Sequence, residues 1–272
     1  SLGINHIPPK HCPYSCVYCQ VGRTTTLETR PREFFTINQV IQAVGVKIAE
    51  SRKANQKIDY LTLVPDGEPA LDLNIGKLIG ELRTFGIPIA VISNAALIDL
   101  PEVREAFSQA DWVSVKVDTV DEAEWRRINR PHRSLSLSNI LNGIMKFRAI
   151  YQGILVTETM LIAGLNDSET TILRLSHFLL DLQPKHSYLA IPTRPPAEPW
   201  VRSPEADTLQ HIIHIISAHI KFMSLLFESE GINFRSTGNL VEDILSITAV
   251  HPIREAALRR MVIEASADWA II

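Results

Sequence analysis

A repeated alternation of short apolar runs with segments of helical periodicity constrains the fold more than any other feature. Six runs predict β-strands, at residues 2–7, 59–64, 89–93, 112–117, 153–162 and 187–191. Helical periodicity follows them, at 37–48, 75–82, from Pro101, and at 138–151, 167–182 and 204–223, and Thr36 with Gln39 predicts a capping box at the first helix. This pattern favours an α/β fold with a parallel sheet and right-handed crossovers. Periodicity alone does not separate an open sheet from a partial barrel.

Composition and charge narrow the classes of protein that this chain can belong to. With 46% hydrophobic and 21% charged residues among 272, it has the composition of a globular protein with a sizeable core. A net charge of −3 provides no general attraction to nucleic acid or membranes. No apolar run is long enough to cross a bilayer, and no signal peptide is visible. Because the cysteines are few, we expect a reducing compartment, the cytoplasm.

Three cysteines, Cys12, Cys16 and Cys19, lie within one short loop with the spacing C-x3-C-x2-C. Three thiols cannot all pair as disulfides, and the loop is too short for them to try. A structural zinc site needs a fourth ligand, for which only His11 and His6 lie nearby. Three thiolates alone suit a cubane iron–sulfur cluster with one iron left open. The spacing favours the cluster and leaves zinc as the alternative.

Polar side chains stand at the expected C-terminal end of every predicted strand. Parallel α/β folds gather their sites at that edge of the sheet, so we expect these residues to meet there. In chain order they are the three cysteines, Asp66, Gly67 and Glu68, Ser93 and Asn94, Lys116 and Asp118, Glu158, Asn166 and Asp167, and Thr193 and Arg194.

The cysteine spacing, with Tyr18 just before the last cysteine, resembles the signature of the radical S-adenosylmethionine (SAM) superfamily. The resemblance implies an incomplete (β/α)6 barrel of the TIM type over roughly residues 1–200. It implies a [4Fe–4S] cluster on Cys12, Cys16 and Cys19 whose fourth iron chelates the amino and carboxylate groups of SAM. One electron, from a donor such as flavodoxin or ferredoxin, then cleaves SAM to methionine and a 5′-deoxyadenosyl radical, which abstracts hydrogen from a substrate.

Loops after later strands add to the resemblance. Residues 66–69, D-G-E-P, are similar to the superfamily's G-G-E-P motif, which binds the amino group of SAM in relatives; Asp66 stands where the motif has its first glycine. Ser93 and Asn94 resemble a pair that hydrogen-bonds the ribose or the carboxylate of SAM, although a polar strand end looks the same. Residues 162–167 resemble the motif that packs on adenine, although Asp167 also suits a helix N-cap.

Lys116 lies in an otherwise apolar strand, where a lysine is costly to bury without a partner. A carboxylate, either that of SAM or that of Asp118, is therefore expected beside it. The expected SAM pocket consists of Tyr18, Gly67, Glu68, Ser93, Asn94, Lys116, Asp118 and Ile162.

Longer stretches are similar to iron–sulfur oxidoreductases grouped with the wyosine-type tRNA base synthases. They are S-L-G-I-N at residues 1–5, C-V-Y-C-Q-V-G-R-T at 16–24, N-R-P-H at 129–132, R-P-P-A-E at 194–198 and I-T-A-V-H-P-I-R-E at 247–255. Archaeal wyosine synthases carry extra cysteines for a second cluster that binds pyruvate, and this chain has none. The resemblance therefore implies the single-cluster machinery, with a tRNA base as the substrate to consider.

Two alternatives stay open for the function. The first is a radical SAM enzyme that modifies a protein or activates a glycyl-radical enzyme. The second, from another class, is a non-catalytic iron–sulfur or zinc-binding module, which would not need the SAM-type loops after strands two to five.

A cluster of arginines follows the fourth predicted strand. Guanidinium groups bind phosphates in a bidentate fashion, so the cluster predicts contact with an anionic substrate, RNA above all. An equally ordinary interpretation is a solvated helix end whose charges pair with the acidic residues at 121–124. The residues expected to contact the substrate are Arg126, Arg127, Arg130, Arg133 and Arg194.

The domain organisation is expected to be simple. No linker interrupts the chain before about residue 200, so residues 1–223 predict the partial barrel and 224–272 a C-terminal extension. Within the extension, a helix is expected after Pro252.

Overall fold

A parallel β-sheet organises the larger of two compact units, Ser1–Leu226 and Phe227–Ile272. The computed structural model describes residues 1–220, 222–226, 240–248, 255–265 and 267–269. Its strands are β1 (Leu2–Ile4), β2 (His11–Cys12), β3 (Thr26–Leu27), β4 (Leu61–Leu63), β5 (Ile89–Ser93), β6 (Trp112–Lys116), β7 (Ile154–Met160), β8 (His186–Ala190) and β9 (Met223–Leu225).

Seven of these strands form one sheet in the order β1-β4-β5-β6-β7-β8-β9, and every neighbouring pair is parallel. The two-residue strands β2 and β3 pair with each other beside it. Because the spatial order follows the chain order, all the loops that leave the C-terminal strand ends lie along one edge. The α/β class with a parallel sheet is therefore confirmed.

Helices connect the strands. They are α1 (Ile37–Lys53), α2 (Ile75–Leu82), α3 (Pro101–Phe107), α4 (Glu122–Ile128), α5 (Leu137–Ile150), α6 (Glu169–Leu182) and α7 (Ala206–His219), with α8 (Leu240–Thr248) and α9 (Glu255–Glu264) in the second unit. The Thr36 side chain accepts from Gln39 N while the Gln39 side chain accepts from Thr36 N, so the predicted capping box forms. Asp121 and Ser168 are N-caps of α4 and α6: the Asp121 side chain accepts from Ala123 N and Glu124 N, and the Ser168 side chain accepts from Thr171 N.

The core lies between the sheet and these helices. Leu61, Leu63, Val91 and Val113 are fully buried on the central strands, as expected where a parallel sheet is covered on both faces. On α5, Phe147 is also fully buried, and it stacks on Tyr151 with ring centroids 4.7 Å apart. The predicted strands at 59–64, 89–93 and 112–117 therefore supply the centre of the core.

The seventh strand is the main difference from the sequence prediction. The helix predicted over 204–223 ends at His219, and Met223–Leu225 pairs in parallel with β8. A strand of three residues is too short to show a period of two, and its apolar residues continued the helical spacing that precedes them. The strand was therefore missed because its identity depends on the neighbouring edge of the sheet.

Three smaller points concern the ends of the chain and its connections. The charged segment after β6 forms helix α4, which the apolar pattern did not predict. The helix expected after Pro252 begins at Glu255, whereas most of the 247–255 stretch lies outside the described residues. Among the residues that the structure describes, no helix is long and apolar enough to cross a membrane.

Candidate functional site

The loops at the C-terminal edge of the sheet surround a cavity of about 330 Å³. All three cysteines line it, and so do six of the residues predicted for the SAM pocket: Tyr18, Gly67, Glu68, Ser93, Asn94 and Lys116. Asp118 and Ile162 are buried but are not among its lining residues. A second cavity of about 280 Å³, between β1 and α1, contains none of the predicted site residues.

The cysteine loop is held by the segment that follows α4. Ser15 N donates to Asn129 O at 3.0 Å and Val17 N donates to Ile128 O at 2.9 Å. In the opposite direction, His132 N donates to Pro13 O at 2.8 Å. The N-R-P-H stretch at 129–132 is thus part of the support that shapes the loop around its thiols.

Gly67 lets the loop after β4 approach the cysteine loop. A Cβ at this position would stand 2.3 Å from His11 O, closer than any side chain tolerates. The approach allows Glu68 N to donate to the same carbonyl at 3.1 Å. Asp66 does not adopt a positive φ, and its carboxylate accepts from Asn5 Nδ2 at 2.9 Å. The aspartate therefore fits where the family motif has its first glycine.

Glu68 is 1% exposed and joins the ends of β4 and β5. Its carboxylate accepts from Ser93 Oγ at 2.6 Å, from Asn94 N at 2.8 Å and from Ala70 N at 3.1 Å. Burial raises the pKa of Glu68 to about 7, although these hydrogen bonds oppose the shift. A carboxylate offers about four acceptor positions, so one remains for a ligand.

The carboxylate partner of Lys116 is Glu158, on the neighbouring strand β7. The ammonium of Lys116 lies 2.8 Å from Glu158 Oε1 and 4.9 Å from the centre of the Tyr18 ring. Asp118, the partner expected from the sequence, makes no hydrogen bond to Lys116. The strands β6 and β7 are neighbours in the sheet, and their register places Lys116 directly opposite Glu158. Burial acts to lower the pKa of Lys116, yet the charges of Glu158 and Asp118 raise it above its usual range.

Asp118 is instead the centre of a buried hydrogen-bond network. Its carboxylate accepts from the Tyr18 hydroxyl, from Asn129 Nδ2 at 2.7 Å and from Met160 N at 2.9 Å. Ile162 packs in the apolar cluster beneath, with Tyr18 and Met160. The geometry therefore places both residues behind the cavity wall, and their predicted contact with SAM stays a prediction.

The thiols form a donor set that suits a cluster better than a single ion. Burial raises the pKa of Cys16 to about 12 and that of Cys12 well above its usual range, so a cation is needed to hold them as thiolates. Within the described ranges, no three His, Cys, Asp or Glu side chains come close enough to ligate one metal ion. A cluster in which each thiolate binds its own iron needs no such convergence, whereas tetrahedral zinc does.

The predicted arginine cluster is partly committed to ion pairs. Arg126 lies 2.6 Å from Glu122, and Arg130 pairs with the nearly buried Glu198. Glu198, from the R-P-P-A-E stretch, also binds Arg23 at 3.1 Å and donates its N–H to Val17 O.

The other three arginines predicted to contact the substrate are Arg127, Arg133 and Arg194, and of these Arg194 is hydrogen-bonded within the protein. Arg194 donates to Gln20 Oε1 at 2.7 Å, which joins the segment after β8 to the cysteine loop. Arg127 and Arg133 are exposed on the surface. Among the residues that the structure describes, Arg127 and Arg133 make no ion pair, so their guanidinium groups are presented to solvent.

Two functional candidates escaped the sequence prediction. Lys10 lines the cavity with a left-handed backbone (φ 70°), and its buried ammonium has no hydrogen-bond partner in the part of the chain that the structure describes. Asn129 donates to Cys16 Sγ at 3.4 Å from another part of the chain. A lysine in the loop that carries the cysteines was a usable signal, whereas nothing in the sequence pairs Asn129 with a thiol.

The model of the Radical SAM superfamily matches residues 7–175 of this chain. The chain belongs to the radical SAM superfamily. It is 43% identical over 274 residues to the UPF0026 protein MJ1312 of Methanocaldococcus jannaschii, a match that covers 100% of this chain and 85% of that protein.

Two solved structures show the same fold. A radical SAM methyltransferase from Sphaerobacter thermophilus superposes with a TM-score of 0.60 at 16% identity, covering 79% of this chain and 63% of that one. TYW1 with a lysine-pyruvate adduct bound gives 0.59 at 16% identity, covering 80% and 71%. Superfamily membership makes the chain a radical SAM enzyme and sets the non-catalytic alternative aside. Proteins of this superfamily in general use SAM and a [4Fe–4S] cluster.

Gly67→Ala tests the close approach of the two loops. The added Cβ has to displace the backbone at His11, so we expect destabilisation on the order of 1–3 kcal/mol and a reduced capacity for iron. The measurements are urea unfolding and iron content after anaerobic reconstitution. Gly3→Ala is the control, since a Cβ there would meet Val64 at an ordinary 3.6 Å. Equal iron content in both variants would contradict the interpretation.

Proposed function

We propose that this enzyme binds a [4Fe–4S] cluster at Cys12, Cys16 and Cys19 and cleaves SAM reductively in the adjoining cavity. The observation that carries the proposal is the shared cavity: three thiols line it together with the loops after β4 and β5 and the end of β6. When bound, the two cofactors supply a reducing electron and a 5′-deoxyadenosyl radical that abstracts hydrogen from a substrate. An external donor such as flavodoxin or ferredoxin would provide the electron.

The chain's own residues would bind and orient SAM. The free acceptor position of Glu68 suits its amino group, and Ser93 at the end of β5 donates to the same carboxylate. Tyr18, with its hydroxyl fixed by Asp118 and its ring 4.9 Å from the Lys116 ammonium, would form a rigid part of the cavity wall. A wall of this kind excludes water, which a site for radical chemistry requires.

Replacing single cysteines tests the cluster. In wild-type protein, anaerobic reconstitution should give about four irons per chain and SAM cleavage on reduction. Cys12→Ala, Cys16→Ala and Cys19→Ala should each abolish cleavage while the far-UV circular dichroism stays unchanged, because the sheet forms without the cluster. Stoichiometric zinc without iron uptake by the wild type would overturn the proposal.

Two lysines that line the cavity, Lys10 and Lys116, are candidates for binding the carboxylate of SAM. Lys116, the residue expected from the sequence, is already neutralised by Glu158. The ammonium of Lys10 has no protein partner in the described ranges, and burying an unpaired ammonium is costly. We propose that Lys10 binds the carboxylate of SAM, or contributes more to its binding than Lys116 does.

The test compares SAM affinities of loaded protein. Because a charge-assisted hydrogen bond contributes about 1.5–3 kcal/mol, Lys10→Met should weaken binding by about tenfold or more. Lys116→Met combined with Glu158→Gln removes the paired lysine together with its counter-charge and should have the smaller effect. Lys77→Met, on the exposed face of α2, is the control. A larger loss in the Lys116 variant would restore the role expected from the sequence.

For the substrate we propose RNA and, more specifically, a base of tRNA. The support is the similarity of the longer stretches to tRNA base synthases, together with the exposed Arg127 and Arg133. Both arginines flank the 128–132 segment that supports the cysteine loop. Arg126 and Arg130 are paired with Glu122 and Glu198, so their charges are largely neutralised. The proposed contact with RNA phosphates therefore depends on the guanidinium groups of Arg127 and Arg133.

Salt-dependent RNA binding tests this proposal. Replacing Arg127 and Arg133 together by Ala should make the salt slope shallower by up to about one unit per lost phosphate contact. The control replaces Arg52 and Lys53, two exposed cations in the last turn of α1. Equal slopes in the two variants would favour a protein or small-molecule substrate, which is the alternative left by the sequence.

A further inference from the structure

We propose that Asn94 and Asn129 are positioning residues that hydrogen-bond two of the cluster's thiolates and thereby raise its reduction potential. Asn94 Nδ2 lies 3.2 Å from Cys12 Sγ, and Asn129 Nδ2 lies 3.4 Å from Cys16 Sγ. The inference rests on the proposed function, since it requires a cluster on these cysteines. It assigns Asn94 to a sulfur rather than to SAM.

The orientation of the Asn94 amide is determined by its other end. Asn94 Oδ1 accepts a hydrogen bond from Ala96 N at 2.9 Å, so the oxygen cannot exchange places with the NH2 group. Its backbone N–H donates to Glu68 Oε2 at 2.8 Å, which fixes the start of the loop. With both ends occupied, the NH2 group has to face Cys12.

The Asn129 amide is oriented by a charge. Its Nδ2 donates to Asp118 Oδ2 at 2.7 Å, and an ionised carboxylate only accepts hydrogen bonds, so the nitrogen end is identified. An NH2 group carries two hydrogens, and the second is shared between Cys16 Sγ and the Tyr18 hydroxyl oxygen, each 3.4 Å from Nδ2. Asn129 is 2% exposed, and its backbone carbonyl accepts from Ser15 N. The residue that holds the loop therefore also contacts its sulfur.

The three cysteine sulfurs differ in the hydrogen bonds that they accept. Cys12 Sγ also accepts from Tyr14 N at 3.5 Å. Cys19 Sγ receives no hydrogen bond from any residue in the ranges that the structure describes. The two amide contacts come from the end of β5 and the end of α4, which only the folded chain brings to one loop.

Donors at a sulfur stabilise the reduced cluster more than the oxidised one, because reduction adds negative charge to the ligands. Hydrogen bonds to the sulfurs are among the main determinants of iron–sulfur potentials, together with net charge and exposure. The two asparagines should therefore make reduction by an external donor easier. Their removal should lower the potential without removing a ligand to iron.

The test measures reduction potentials of reconstituted protein in the absence of SAM, by redox titration followed by electron paramagnetic resonance. We expect Asn94→Ala and Asn129→Ala each to lower the equilibrium constant for one-electron reduction by about tenfold, which is 59 mV. Asn142→Ala is the control: this exposed asparagine of α5 is not among the residues that line the cavity, so the potential should not change.

A second variant keeps the proposal testable if Asn129→Ala, which leaves Asp118 with one donor fewer, does not fold. Asn94→Asp preserves the acceptor for Ala96 N but replaces the donor to Cys12 by a negative charge, so the potential should fall further than in Asn94→Ala. SAM affinity is measured on the same proteins.

The outcomes separate the two proposals. Failure of the wild type to take up iron would contradict the proposed function. Normal iron content with unchanged potentials in the Asn94 variants would overturn the present inference alone. Weaker SAM binding by Asn94→Ala without a shift in potential would also overturn it, and would return Asn94 to the SAM contact expected from the sequence.

Discussion

The buried carboxylate of Asp118 joins three parts of the site that are far apart in the chain. It accepts hydrogen bonds from the Tyr18 hydroxyl in the cysteine loop, from Asn129 after α4 and from the Met160 backbone at the end of β7. An ionised carboxylate is expensive to bury unless its oxygens are satisfied, and here three donors satisfy them. If any one of these donors is lost, part of the free-energy cost of burying the carboxylate is no longer offset. The stability of each of the three segments therefore depends on the other two.

That coupling explains why the cysteine loop can be short and still well defined. Its thiols need a fixed arrangement, which the packing of Tyr14, Val17 and Tyr18 into the core supplies only in part. Backbone hydrogen bonds to residues 128–132, the contact of Glu198 N with Val17 O and the close approach at Gly67 provide the missing constraints. The parallel sheet makes this possible, because all of these segments leave strands at the same edge.

The arginines illustrate how tertiary structure changes the meaning of a charge pattern. In sequence they form one cationic patch, but Arg130 is bound to Glu198, which is 68 residues away. A nearly buried carboxylate between Arg130 and Arg23 ties the stretch after β8 to the cysteine loop. Hydrogen bonds from Arg130 and Arg23 lower the pKa of Glu198, which favours its ionised form. Arg130 therefore serves the architecture of the site.

The sequence by itself determined the α/β class, the helix α1 with its capping box, the three thiols and the loops that meet beside them. These features follow from local periodicity, local spacing and the rule that parallel strands end at one edge. Tertiary structure alone decided that Lys116 pairs with Glu158, 42 residues away, that Asn129 faces Cys16, and that Met223–Leu225 is a strand. Each of these depends on strand register or on which segment packs against which, and register is set by the packing of the whole sheet rather than by neighbours in the chain.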